Sequence, residues 1–177
     1  SGAALEQAVR RDMSGAMGAA MDQAAFLGTG ANGQPLGVIA GAATYGITVT
    51  PVDNPARWGA FRAAVTRFMT ANAATGPKSV KAMIRPEVWD YLDGIIVGDG
   101  GYKCEFDRMA ERLAEIVMTS NTLAAPTASS PRLTEALLTT AAGGVAPLFI
   151  GAWGAVDMIR DPYSDAQSGG LRITALA

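Results

Sequence analysis

Apolar residues recur at three- and four-residue steps at the start of the chain: Leu5, Val9, Met13, Met17, Ala20, Ala24 and Leu27. That spacing lines one helical face and predicts a single helix over residues 3–27. Glu6, Arg10 and Asp22 fall largely off the face. Gly15 and Gly18 each lower intrinsic helix stability by about 1 kcal/mol relative to alanine. Such a helix needs external packing, and its glycines leave room for another backbone to approach. Gly28 is placed to end it with a positive φ.

Residues 28–52 carry no charge and are punctuated by glycines, Pro35 and Pro51, which predicts an irregular connection. Short extended pieces are expected at Val38-Ile39 and Ile47-Thr48-Val49. The next helix has clear start signals, with Asn54 as N-cap and Pro55 at the first helical position. Trp58, Phe61, Val65, Phe68 and Asn72 follow at helical spacing, and Gly76-Pro77 stops it. Arg57, Arg62 and Arg67 lie mostly off the apolar stripe and read as a solvated face.

Residues 79–84 alternate as a strand does, and Pro86 opens a short helix carrying Val88, Trp89 and Leu92. Asp93-Gly94 begins a glycine-rich loop running through Gly98, Asp99, Gly100 and Gly101. Residues 105–112 suggest a helical turn with 115–120 extended after it, although Phe106, Met109, Leu113 and Ile116 also fit one helix. A proline-bearing loop over 121–131, a short helix over 132–142, a buried strand over 147–153, further extension to Ile159, a turn at Asp161-Pro162 and a last strand over 171–176 complete the pattern. Helices and strands in this order predict the α+β class.

Composition narrows the chemistry. The 177 residues include no histidine and one cysteine. Histidine-dependent triads, Cys-His dyads and imidazole metal sites are therefore excluded, and Cys104 alone can neither close an intrachain disulfide nor build a thiolate zinc site. A net charge of −2 makes a poor electrostatic case for a nucleic-acid binder. Carboxylate, lysine or magnesium chemistry survives. Only 17% of residues are charged, so small residues should cover much of the surface. Arg10, Arg11 and Asp12 break any signal peptide at the start. The uncharged run over 136–156 is long enough for a membrane span, but Gly143-Gly144 and Pro147 favour a turn and a buried strand.

Several motifs have plainer explanations than chemistry. Residues 28–33 spell G-x-G-x-x-G, with Asp53 twenty residues beyond Gly33. A dinucleotide site needs a strand before those glycines and a helix after them. Here a helix precedes and Gln34-Pro35 follows, so a helix cap and tight turn is the better account. The 94–101 loop lacks calcium-loop spacing and reads as an exposed contact loop. Glu105, Asp107, Glu111 and Glu115 alternate with Arg108 and Arg112 and predict ordinary exposed pairing. Lys103 beside Cys104 could lower its thiol pKa, but a lone cysteine without histidine reads as inert.

Three stretches in order resemble the major capsid proteins of tailed phages with the Hong Kong 97 fold. The first is Phe26-Leu27-Gly28-Thr29-Gly30 followed by Gln34-Pro35-Leu36-Gly37. The second is Pro86-Glu87-Val88-Trp89-Asp90-Tyr91-Leu92 with Gly100-Gly101-Tyr102. The third is Gly151-Ala152-Trp153 with Asp161-Pro162-Tyr163 and Gly170-Leu171-Arg172-Ile173. The resemblance implies a spine helix and turn of a peripheral domain over 3–35, an axial domain over 36–155, and a return to the peripheral domain over 156–177. It makes Gly94, Gly98, Asp99, Gly100, Gly101 and Tyr102 a candidate capsomer-contact loop.

The implied function is structural: identical subunits forming pentamers and hexamers of an icosahedral shell around double-stranded DNA. A maturation protease and a scaffold are the implied partners, with no cofactor, metal, membrane or sequence-specific nucleic acid. The implied location is the virion capsid, and the host cytoplasm before assembly. Relatives also carry an N-terminal arm, an extended loop before the spine helix and a further strand, so the chain is expected to be a piece of a larger subunit. Alternatives are the shell of a cellular nanocompartment, a carboxylate- or magnesium-dependent enzyme using Asp93, Asp99, Glu105 and Asp107, and a small-molecule binder with a pocket near Trp58, Trp89 or Trp153.

Overall fold

A computed structural model describes residues 2–52, 57–98, 101–151, 157–161 and 172–176. The chain is α+β, as the alternation of patterns predicts. Its order is α1 (Gly2–Leu27), α2 (Trp58–Thr70), β1 (Val80–Ile84), α3 (Pro86–Asp93), α4 (Glu105–Arg112), β2 (Glu115–Met118), β3 (Leu137–Thr140), β4 (Asp157–Asp161) and β5 (Arg172–Leu176). It divides into two compact units, Ala19–Leu148 and Ser1–Gly18 with Phe149–Ala177.

The larger unit is built on a three-stranded sheet of order β2-β1-β3. β1 runs parallel to β2 and antiparallel to β3. The parallel pair requires a crossover, and α3, the following loop and α4 supply it. β1 is central and alternates: Val80, Ala82 and Ile84 are buried, while Lys81 pairs across the strand with Glu115 at 2.6 Å. α2 buries Trp58, Phe61 and Val65, at the spacing its apolar stripe predicts. With Leu92 of α3, Met109 of α4 and Leu113, these residues form one core, flanked by Phe68, Val88, Phe106, Ile116 and Leu138. Full burial of each large side chain stabilises the fold by about 1.5–3 kcal/mol.

In the smaller unit β4 and β5 pair antiparallel, with Asp157 opposite Leu176 and Asp161 opposite Arg172. α1 contributes to both units, and no residue along its 26 is fully buried.

Several local expectations are corrected. Gly28 does not have a positive φ; that conformation falls to Gly30, Asn32 and Gly33. Val38-Ile39 is not extended, because residues 38–46 form successive hydrogen-bonded turns, and 47–50 have no regular structure. Asn54 and Pro55 lie outside the described residues; α2 starts at Trp58 with Arg57 as an extended N-cap that makes no side-chain cap bond. The helix ends at Thr70, before Gly76-Pro77, and Asn72 takes the left-handed conformation just beyond it. The segment expected as a helix over 132–142 holds β3 instead. There Thr140 donates its hydroxyl to the Ser79 carbonyl at 2.8 Å, fixing the strand beside β1. The expected buried strand over 147–153 is not formed in its described part: residues 147–151 are irregular and Phe149 and Ile150 are exposed.

Candidate functional site

The first family-like stretch folds into a corner at the end of α1. The last helical carbonyls would otherwise lack donors. Here the chain returns over them: Val38 N–H donates to the Ala25 carbonyl at 3.0 Å and Ile39 N–H to that of Phe26 at 2.9 Å. Gly37 N–H donates to Gly28 at 2.8 Å, and Gly30 N–H to Pro35 at 3.3 Å. A Cβ on Gly28 would overlap the Pro35 and Ala24 carbonyl oxygens, and one on Gly37 would overlap the Phe26 carbonyl. Both glycines are thus required by close backbone approach. Phe26, Leu27, Gly28, Gly30, Gln34, Pro35 and Gly37 are brought together. No helix N-terminus follows the glycines, so the arrangement lacks what a phosphate cradle uses.

The second stretch forms the crossover lobe. Its loop is pinned at the base: Val97 N–H donates to the Lys103 carbonyl at 2.8 Å and Glu105 N–H to that of Ile95 at 2.9 Å. Gly98 has φ 82°, and a Cβ on Gly101 would overlap the Val97 carbonyl oxygen. Tyr102 is fully exposed. Gly94 caps α3, while Asp99 and Gly100 lie outside the described residues. Beside the loop is an open groove of about 360 Å³ lined by Val97, Tyr102, Lys103, Arg108, Glu111 and Arg112.

The charges around this lobe do more than pair on the surface. Glu105 is buried: one oxygen accepts from the Trp58 backbone N–H at 3.0 Å and the other from Arg108 at 3.2 Å. Cys104 and Asp107 form a capping box on α4. Asp107 N–H donates to Cys104 Sγ at 3.3 Å, and Cys104 N–H to the Asp107 carboxylate at 3.0 Å. That backbone N–H, followed by the thiol contact, holds the Asp107 carboxyl below its ordinary pKa. Burial pushes the Cys104 thiol up, so Lys103 does not activate it; the lysine pairs with Glu111 instead. Arg112 lies 5.9 Å over the Trp58 ring.

Sequence patterning missed Arg85. Its buried guanidinium forks onto both Glu87 oxygens at 2.9 Å and donates to the Ser120 and Leu123 carbonyls at 3.0 and 2.8 Å. The Glu87 hydrogen bonds raise the Arg85 pKa, and Arg85 lowers that of Glu87. No spacing rule flags a lone arginine between a strand and a helix.

Asp93, Glu105 and Asp107 are not gathered for a cation. Asp93 meets the Cys104 thiol at 3.5 Å, Glu105 caps α2 and Asp107 caps α4. Among the described residues no three Asp, Glu or Cys side chains form a metal-binding group. Trp58, expected beside a pocket, is itself buried in the core, and Trp89 sits edge-on to Phe106. Trp153, Pro162 and Tyr163 lie outside the described residues, and Asp161 ends β4. No helix among the described residues is long and apolar enough to cross a membrane. Compared with protein-family models, curated proteins and solved structures, the chain finds no match.

Proposed function

We propose that the chain is part of a phage or prophage major capsid protein of the Hong Kong 97 type, a structural subunit of an icosahedral shell around double-stranded DNA. The observation that carries this reading is the ordered set of three family-like stretches. Two structural features support it. The first stretch is one hydrogen-bonded corner in which Gly28 and Gly37 are sterically required. The second presents an exposed, base-pinned loop of the kind that carries contacts. On this reading α1 is the spine helix, residues 36–155 the axial domain, and pentamers and hexamers of identical subunits the working form. On this reading the subunit does no chemistry, and Glu105 and Asp107 act as helix caps.

The test is to express the full-length protein alone and with its maturation protease, then examine it by sedimentation velocity and electron microscopy. Capsomer rings or closed shells are expected. Monomers under every condition would overturn the reading.

A further inference from the structure

The two sides of the crossover lobe carry opposite charge. α3 bears Glu87, Asp90 and Asp93. Glu87 is taken up by Arg85 at the helix N-cap, which leaves Asp90 as the outward carboxylate, paired with no cation among the described residues. Glu87, Asp90 and Tyr91 are spaced to share its outer face, opposite Val88 and buried Leu92. Tyr91 is 43% exposed. In the groove beside α4, Lys103 pairs with Glu111 and Arg108 with Glu105, while Arg112 meets the Trp58 ring and no carboxylate, which leaves the groove a net positive charge.

These surfaces lie on different flanks of α4. Phe106 turns toward α3, meeting Trp89 edge-on with ring centroids 6.4 Å apart. Arg112 turns toward α2, over Trp58. One copy therefore cannot close its own groove with its own α3. A contact between unlike patches on identical chains is head-to-tail, and such contacts generate rings when the rotation closes.

We propose that the groove formed by Tyr102, Lys103 and Arg112 receives the α3 ridge of a second copy, with Tyr91 entering the groove and Asp90 facing Arg112. The occupant is another copy of this chain because it carries the complementary acidic, aromatic ridge on the same lobe. Tyrosine and arginine are also the residue types that anchor interfaces. The inference rests on the shell reading and names the surface through which the ring forms.

In the full-length protein, Asp90→Lys should abolish rings in sedimentation velocity while leaving circular dichroism and the thermal midpoint unchanged. Asp90→Lys with Arg112→Glu should restore them. Asp90→Cys with Arg112→Cys, oxidised, should give a ladder of covalent multimers on non-reducing gels. Each single cysteine variant, which retains buried Cys104, should give monomer. Rings formed by Asp90→Lys as readily as by the native protein would overturn the proposal and leave the shell reading standing. So would assemblies of the double-cysteine protein without cross-links, which would mean that another segment or a scaffold fills the groove. If the native protein never assembles, both readings fall.

Discussion

The backbone N–H of Trp58 donates to the side chain of Glu105 at 3.0 Å, across 47 residues of chain. α2 is thus capped by a carboxylate from α4, not by its own N-cap residue, and the carboxylate sits where the helix dipole favours a negative charge. The same carboxylate meets Arg108, so one buried group orders two helices.

Glu105→Ala removes the cap and strands Arg108. A loss of about 2–3 kcal/mol is expected, read as a lower urea midpoint, from the charged hydrogen bond and the lost cap together. Glu105→Gln keeps an acceptor for Trp58 and should cost markedly less. Equal losses in both variants would mean that the charge, not the hydrogen bond, holds α2.

Glycine positions should separate sharply. Gly28→Ala and Gly37→Ala force a Cβ into backbone atoms and should each cost about 1–3 kcal/mol, as overpacking does. Gly15→Ala and Gly18→Ala meet nothing within 4 Å and should each stabilise α1 by about 0.5–1 kcal/mol. Thermal denaturation of the four variants checks both signs.

Asp107 and Glu87 have carboxyl groups held below their ordinary pKa, the first by the Cys104 backbone N–H and the second by Arg85. The native state then binds fewer protons than the unfolded chain at acid pH. Their contribution is present above the unfolded carboxylate values, about 3.9–4.3, and is lost as pH falls through the depressed native values. Urea midpoints should fall steeply in that window, and Asp107→Asn should flatten the fall.

Cys104 has the opposite sign. Its raised thiol pKa lets the native state keep a proton that the unfolded chain loses, so stability should decline as pH rises above about 8.5. The thiol should react with a disulfide reagent only after unfolding at neutral pH. Cys104→Ala should cost about 0.5–2 kcal/mol through the lost cap, whereas Cys104→Ser should hold it.

The stripes that bury side chains were legible on α2, at Trp58, Phe61 and Val65, and in the alternation along β1; for α1 the spacing gave the extent of the helix, but its apolar face is not buried. Features fixed by distant partners were not. Leu137–Thr140 has helix-compatible residues, but pairing beside β1 makes it a strand. Glu105 resembles its acidic neighbours, yet the start of α2 packs over it. Gly28 reads as a left-handed cap, but the corner requires it for steric reasons. At the candidate site, the exposed loop was visible from its glycines. The groove beside it was not: its lining falls within residues 97–112, and the way the loop folds back beside α4, which no spacing rule gives, opens it.

Among the described residues α1 has the longest hydrogen-bonded ladder, and none of its residues is buried. Its amides should nonetheless be among the first to exchange with deuterium, since exchange follows the free energy of local opening, not the number of bonds in a row. The gradient should run along the helix. Protection should be greatest near Ala24–Leu27, where the returning chain clamps the last turn, and near Ala19, whose carbonyl accepts from Asn121 at 2.8 Å. The first turns should exchange fastest, so the gradient marks how far along the helix the hold of its C-terminal contacts extends.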